Sequence, residues 1–188
     1  MSSSWFRQAS VQILSLIHIC FFGSAALGAA LYGIEVVCSL AVGFLFSIGQ
    51  NRKRAAGRGV VCYRLDFAAA VKDAVSSVLA VCGFVVFFSV LLNMVSELLL
   101  AAGFSELLAP FSCVLEVTTG ASLAAQTGGM GGFILAAFAI GWSGVCVHAQ
   151  SASFMLPAGL SMAKYMAGKA LQGAMCALLA MPVYLFFQ

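Results

Sequence analysis

The stretch SELLAPFSCVLEVTTGASLAAQTGGMGG, residues 105–132, decides the architecture, because it is too polar for a clean membrane span and too apolar for an exposed loop. Pro110 is expected to interrupt helix, and Thr118 and Thr119 can hydrogen-bond main-chain groups freed by the interruption. The run Gly128-Gly129-Met130-Gly131-Gly132 is expected to break the chain a second time. A doubly interrupted segment at membrane depth can either cross the bilayer or dip in and return to the same face as a re-entrant hairpin.

The surrounding sequence places that segment in a membrane. The 188 residues are 63% hydrophobic and 8% charged, with a mean hydropathy of +1.07. A soluble domain is nearer half apolar and a quarter charged. Apolar runs at 22–48, 78–100, 133–156 and 167–187 each have about the twenty residues needed to cross roughly 30 Å of hydrocarbon. After the first comes Asn51-Arg52-Lys53-Arg54, then Arg58 and Arg64, a basic loop that the positive-inside rule puts in the cytoplasm. This run is read as a topology signal, not as a nucleic-acid surface. A re-entrant hairpin brings Lys164 and Lys169 to the same cytoplasmic side, whereas a full crossing would put them outside, so the positive-inside rule favours the hairpin. Residues 66–77 carry Phe67, Val71, Ala74 and Val75 on one helical face with Lys72 and Asp73 opposite, which predicts a short interfacial helix before the second span. The expected fold is all-α: a polytopic membrane protein of about four transmembrane helices plus a re-entrant helical hairpin.

Other chemistries lack their signatures. The cysteines at 20, 38, 62, 82, 113, 146 and 176 have no CxxC spacing and read as small buried apolar residues. Cys146 and His148 are too few to hold a structural zinc, so neither metal nor other cofactor is expected. Neither a nucleophile elbow nor a phosphate-binding glycine loop is present, and no catalytic residue is assigned. Residues 1–19 are read as a non-native N-terminal segment, because Leu14-Ser15-Leu16-Ile17-His18-Ile19 looks like a translated sequencing adapter; His18 is given no function. Residues 20–188 are read as a single transmembrane domain, half of a longer transporter or one copy of a homo-oligomer, since four spans are few to enclose a solute path.

Polar groups inside apolar runs are costly and usually face a cavity, a partner or a path. Glu35 lies midway along the first span near Tyr32, and Asn93, Ser96 and Glu97 lie toward the end of the second. Glu97 and Glu106 read as structural, whereas Glu35 reads equally as a helix-pairing group or a functional one. Ala163, Ala167, Ala170 and Ala174, with Gly168 and Gln172, recur at helical spacing in the last span and predict a face for close packing. Gly23, Gly28, Gly33 and Gly43 are expected to thin the first helix similarly.

Two signatures concentrate the remaining chemistry: Glu116-Val117-Thr118-Thr119-Gly120, and Gly141-Trp142-Ser143-Gly144-Val145-Cys146-Val147-His148-Ala149-Gln150 about twenty residues later. Each group alone can be a satisfied core residue or a helix cap, but five polar groups in adjoining elements need more partners than a plain bundle supplies. Together with a Tyr and Lys164 in the last helix, the signatures resemble the YlbJ-type sporulation integral membrane proteins (stage V sporulation), which carry the nucleoside-recognition or Gate domain. The resemblance covers roughly residues 21–188 and corresponds to the C-terminal half of a full family member.

That resemblance implies a role in endospore formation, in the mother cell's membrane around the forespore, moving dipicolinic acid toward the spore. This planar ring with two carboxylates needs donors and positive potential. Thr118, Thr119 and the amides around Gly120 would serve one carboxylate, and His148 and Gln150 the other or the ring nitrogen, with Ser143 and Lys164 completing the site. Glu116 is repulsive to an anion unless it holds a proton, couples transport to protons, or pairs with Lys164 or His148. The implied partners are a small anionic solute and the lipid bilayer, with no nucleic acid. A nucleoside transporter and a non-transporting scaffold of spore maturation remain alternatives; nucleosides are neutral and would favour Gln, Asn and Glu contacts over positive potential.

Overall fold

Chain in hydrocarbon must satisfy its own N–H and C=O groups, so long apolar runs coil into helices wherever no breaker intervenes. The computed structural model describes residues 24–48 and 66–187, and among these every regular element is helical. The elements are α1 (Ala25–Ile48), α2 (Phe67–Ala101), a 3-10 turn (Ser105–Leu107), α3 (Leu108–Leu115), α4 (Val117–Thr127), α5 (Gly129–Trp142), α6 (Gly144–Met155) and α7 (Met162–Phe186). Four segments are long and apolar enough to cross a membrane: Ala26–Ile48, Phe67–Ala101, Gly129–Met155 and Met162–Phe186. This fits an integral membrane protein. The 1–19 segment with His18, the basic loop, Gly23, Cys20 and Cys62 lie outside the described residues.

The hairpin is α3 followed by α4. Their 8 and 11 residues reach about 12 and 17 Å, too short to cross roughly 30 Å of hydrocarbon. The arms fold back at Glu116, whose extended backbone (φ −144°, ψ 121°) ends one helix and starts the next. They close tightly because Gly120 has no side chain: an added Cβ would overlap the main chain at Cys113.

At the centre is α5, packed against α7, α1 and the α4 arm. Leu31, Ile34 and Cys38 of α1, Phe133, Ala137 and Ile140 of α5, and Cys176 and Ala180 of α7 form the main apolar core. A smaller one joins Cys113, Ala124, Ala136 and Ala139, and fixes the hairpin to α5. In contrast, α2 buries only Phe88 and Leu92 and leans on α6 and α3, leaving an apolar surface suited to lipid.

Several local expectations are corrected. Pro110 does not interrupt a helix; it sits in the first turn of α3, where its missing N–H costs nothing. The interfacial helix and the second span are one continuous element of 35 residues, because Asp66 caps its start, accepting from the Ala68 and Ala69 amides, and no breaker follows. Of the glycine run only Gly128 separates helices, and α5 continues through Gly131 and Gly132. Residues 133–156 are not one helix but two, broken at Ser143. Ala163, Ala167, Ala170 and Ala174 point outward, whereas Gln172, Gly173, Cys176 and Ala180 make the packing face of α7. Gly33 and Gly43 have open space around them, so they do not serve close packing within the chain. Cys38, Cys113, Cys146 and Cys176 are buried, but Cys82 is exposed.

Candidate functional site

Two helix breaks meet at one place. Ser143 adopts the left-handed region (φ 73°), unusual for a residue with a side chain, and Gly144 follows it there (φ 76°). A Cβ at Gly144 would lie 3.0 Å from the Leu115 carbonyl oxygen and 3.0 Å from the Val117 nitrogen. The α5–α6 break therefore rests directly on the α3–α4 break. Trp142 locks the crossing, since its indole Nε1–H donates to the Val114 carbonyl oxygen at 3.0 Å. Paired breaks of this kind expose helix ends inside a membrane protein, and these ends are where solutes and ions can be held.

Glu116 is occupied within the fold. One carboxylate oxygen accepts from the Thr118 amide at 2.9 Å and the other from the Thr119 amide at 2.7 Å, which makes it the N-cap of α4. Amide donors favour the ionised carboxylate over the protonated one. The pairing with His148, one of the alternatives expected for Glu116, is not formed, and the Thr118 and Thr119 amides are committed to Glu116 instead of facing a solute. The first turn of α6 differs: Ser143 gives it no side-chain cap, and the Ser143 hydroxyl donates to the Ile140 carbonyl oxygen at 3.3 Å.

One turn into α6 stands His148, only 3% exposed, and neither of its ring nitrogens has a hydrogen-bond partner among the described residues. The Trp142 main chain lies close by without hydrogen-bond geometry. The imidazole packs edge-on against two aromatic rings, with centroid separations of 4.3 Å to Trp142 and 5.5 Å to Tyr165. Tyr165 is itself oriented by an O···O hydrogen bond of 3.1 Å with Ser151. A neutral imidazole offers one donor and one acceptor, and leaving a buried polar group unpaired costs about 1–3 kcal/mol.

The other expected site residues divide. Gly120 is buried in the hairpin contact and Ser143 forms the break, so both belong to the crossing. Gln150 donates to Cys146 Sγ at 3.3 Å. Lys164 is exposed and lines a groove of 270 Å³ between α1 and α7, together with Ser39, Val42, Gly43, Phe46, Tyr165, Gly168, Lys169 and Gln172. Within it the Lys169 ammonium donates to Oε1 of the buried Gln172 side-chain amide at 3.1 Å, and the charge of Glu35 on α1 acts on Lys169. Sequence reading gives Lys169 only a topological role and Gln172 only a packing one. The signal that marks them is opposite charge, Glu35 and Lys169, well inside two apolar helices. Among the described residues no group of three or more His, Cys, Asp or Glu side chains is placed to hold a metal.

No family model, no curated protein and no solved structure matches this chain.

Proposed function

We propose that the protein is a membrane transporter component for a small anionic metabolite, dipicolinic acid by the sequence resemblance, working at the outer forespore membrane during endospore formation. The observation that carries the solute-binding part of this reading is His148: a buried imidazole with both nitrogens unpaired, packed against two aromatic rings beside the crossing of two broken helices. A planar ring bearing carboxylates would accept from the imidazole N–H, and the aromatic walls suit its flat face. The uncapped start of α6 adds amide donors and a partial positive charge at the same break. Glu116 is assigned a structural part, holding the α3–α4 turn that supports the crossing.

The test is dipicolinate accumulation in spores of a strain deprived of its own carrier and complemented with the protein, intact or as His148→Ala. Restoration by the intact form, and loss in the variant while it still inserts, supports both the activity and the site. An intact form that is present in the membrane yet restores nothing removes the transport reading in favour of a scaffold. A nucleoside that displaces dipicolinate from the purified protein would move the substrate class to neutral solutes.

A further inference from the structure

We infer that the α1–α7 groove is a second anion site, a vestibule in which Lys169 holds one carboxylate of a small dianion before the solute reaches His148. The inference rests on the carrier reading and adds a site to it.

Lys169 lies eight residues beyond Ser161, the N-cap of α7, or about 12 Å along the helix. An ammonium at that depth needs compensation. The chain supplies it with the Gln172 amide oxygen and the field of Glu35 from the facing helix. The same side chain also borders a 270 Å³ groove, just below the roughly 300–1,000 Å³ typical of small-ligand clefts. Lys164, five residues nearer the helix start, lines the same groove and is exposed, so positive charge continues outward from Lys169.

The inner wall of the groove gives it a destination. Tyr165 lines it, and the ring of Tyr165 is the one that packs against buried His148. Tyr165 is common to both, so the two sites are neighbours. The α1 side of the groove, Ser39 to Phe46, belongs to the end of α1 that leads into the basic Arg52-Lys53-Arg54 loop. The groove therefore opens toward the side that the positive-inside rule assigns to the cytoplasm. Because Glu35 already competes for Lys169, a ligand with a single weak acceptor gains little there. A dicarboxylate, which can engage Lys169 and Lys164 together, gains more. An anionic lipid headgroup offers the same acceptor chemistry, and the experiment separates the two.

The protein in nanodiscs of phosphatidylcholine would be titrated calorimetrically with pyridine-2,6-dicarboxylate. Lys169→Gln is expected to weaken binding about tenfold or more, Lys164→Gln only severalfold, and Glu35→Gln to tighten it, as expected for charge-assisted contacts. The double variant Glu35→Gln/Lys169→Gln removes both intramembrane charges together and guards against misinsertion of the single variant; it too is expected to bind weakly. Wild-type affinity in the double variant overturns the inference. Loss of dianion binding in nanodiscs containing phosphatidylglycerol also overturns it, by giving the groove to a headgroup. If Lys169→Gln binds normally while His148→Ala does not, only this inference falls. If the wild-type protein binds no dianion, the carrier reading falls with it.

Discussion

Single residues set the two breaks on which the site depends, and their roles can be separated by stability. A methyl at Gly120 meets the main chain of the opposite hairpin arm, whereas one at Gly33 meets open space. Gly120→Ala is expected to cost about 1–3 kcal/mol, the range for overpacking, and to lower the thermal midpoint in detergent. Gly33→Ala is expected to leave that midpoint unchanged or raise it, since alanine favours helix by up to about 1 kcal/mol. Ser143 carries a positive φ that glycine adopts without strain. Ser143→Gly should stabilise the fold by about 1 kcal/mol, the scale of left-handed strain for an ordinary residue; a lower midpoint would show that the Ser143 hydroxyl matters more than the backbone. The serine was legible in sequence as a candidate site residue. Its backbone conformation was not, because what demands it is the approach of Leu115 and Val117 from another element.

Elements show where sequence patterns carry and where they stop. Apolar length located all four long segments, since hydrocarbon leaves the backbone little choice. The hairpin was legible from its mixed polarity, but its hinge was not: Pro110 is the usual breaker, yet the turn falls at Glu116, where a side chain can cap the second arm. Glu116→Ala should therefore cost about 1 kcal/mol or more through loss of an N-cap, seen as faster amide exchange at Thr118 and Thr119. Glu116→Gln keeps one acceptor oxygen and should exchange at an intermediate rate. Trp142→Phe keeps a ring beside His148 but deletes the donor to Val114, so it should loosen the same turn by about 1 kcal/mol, the usual net value of a hydrogen bond. Unchanged exchange in both variants would mean that the crossing is held by packing alone.

At the scale of the whole fold, the buried polar residues among the described ones, Ser112, Glu116, His148 and Gln172, all lie outside α2, which leaves a bare apolar surface. The bare surface fits lipid: Val86, at 62% exposure, should accept leucine without effect, and lysine there should cost insertion roughly 2.5–3.5 kcal/mol. The polar side was half legible. His148, Ser143 and Glu116 stand out in sequence, but the link from His148 through Tyr165 to Lys169 and Gln172 depends on how α6 packs against α7, which no spacing encodes. The central claim is that the unpaired His148 imidazole is the solute's contact. It is tested most directly by the ring ¹⁵N resonances of histidine-labelled protein in phosphatidylcholine, with His18→Ala used to isolate the His148 signals. Saturating pyridine-2,6-dicarboxylate is expected to move the protonated His148 ring nitrogen from an unbonded to a hydrogen-bonded position, since the dianion offers acceptors only. Resonances unchanged at saturation would contradict the claim and leave His148 as an unpaired core residue.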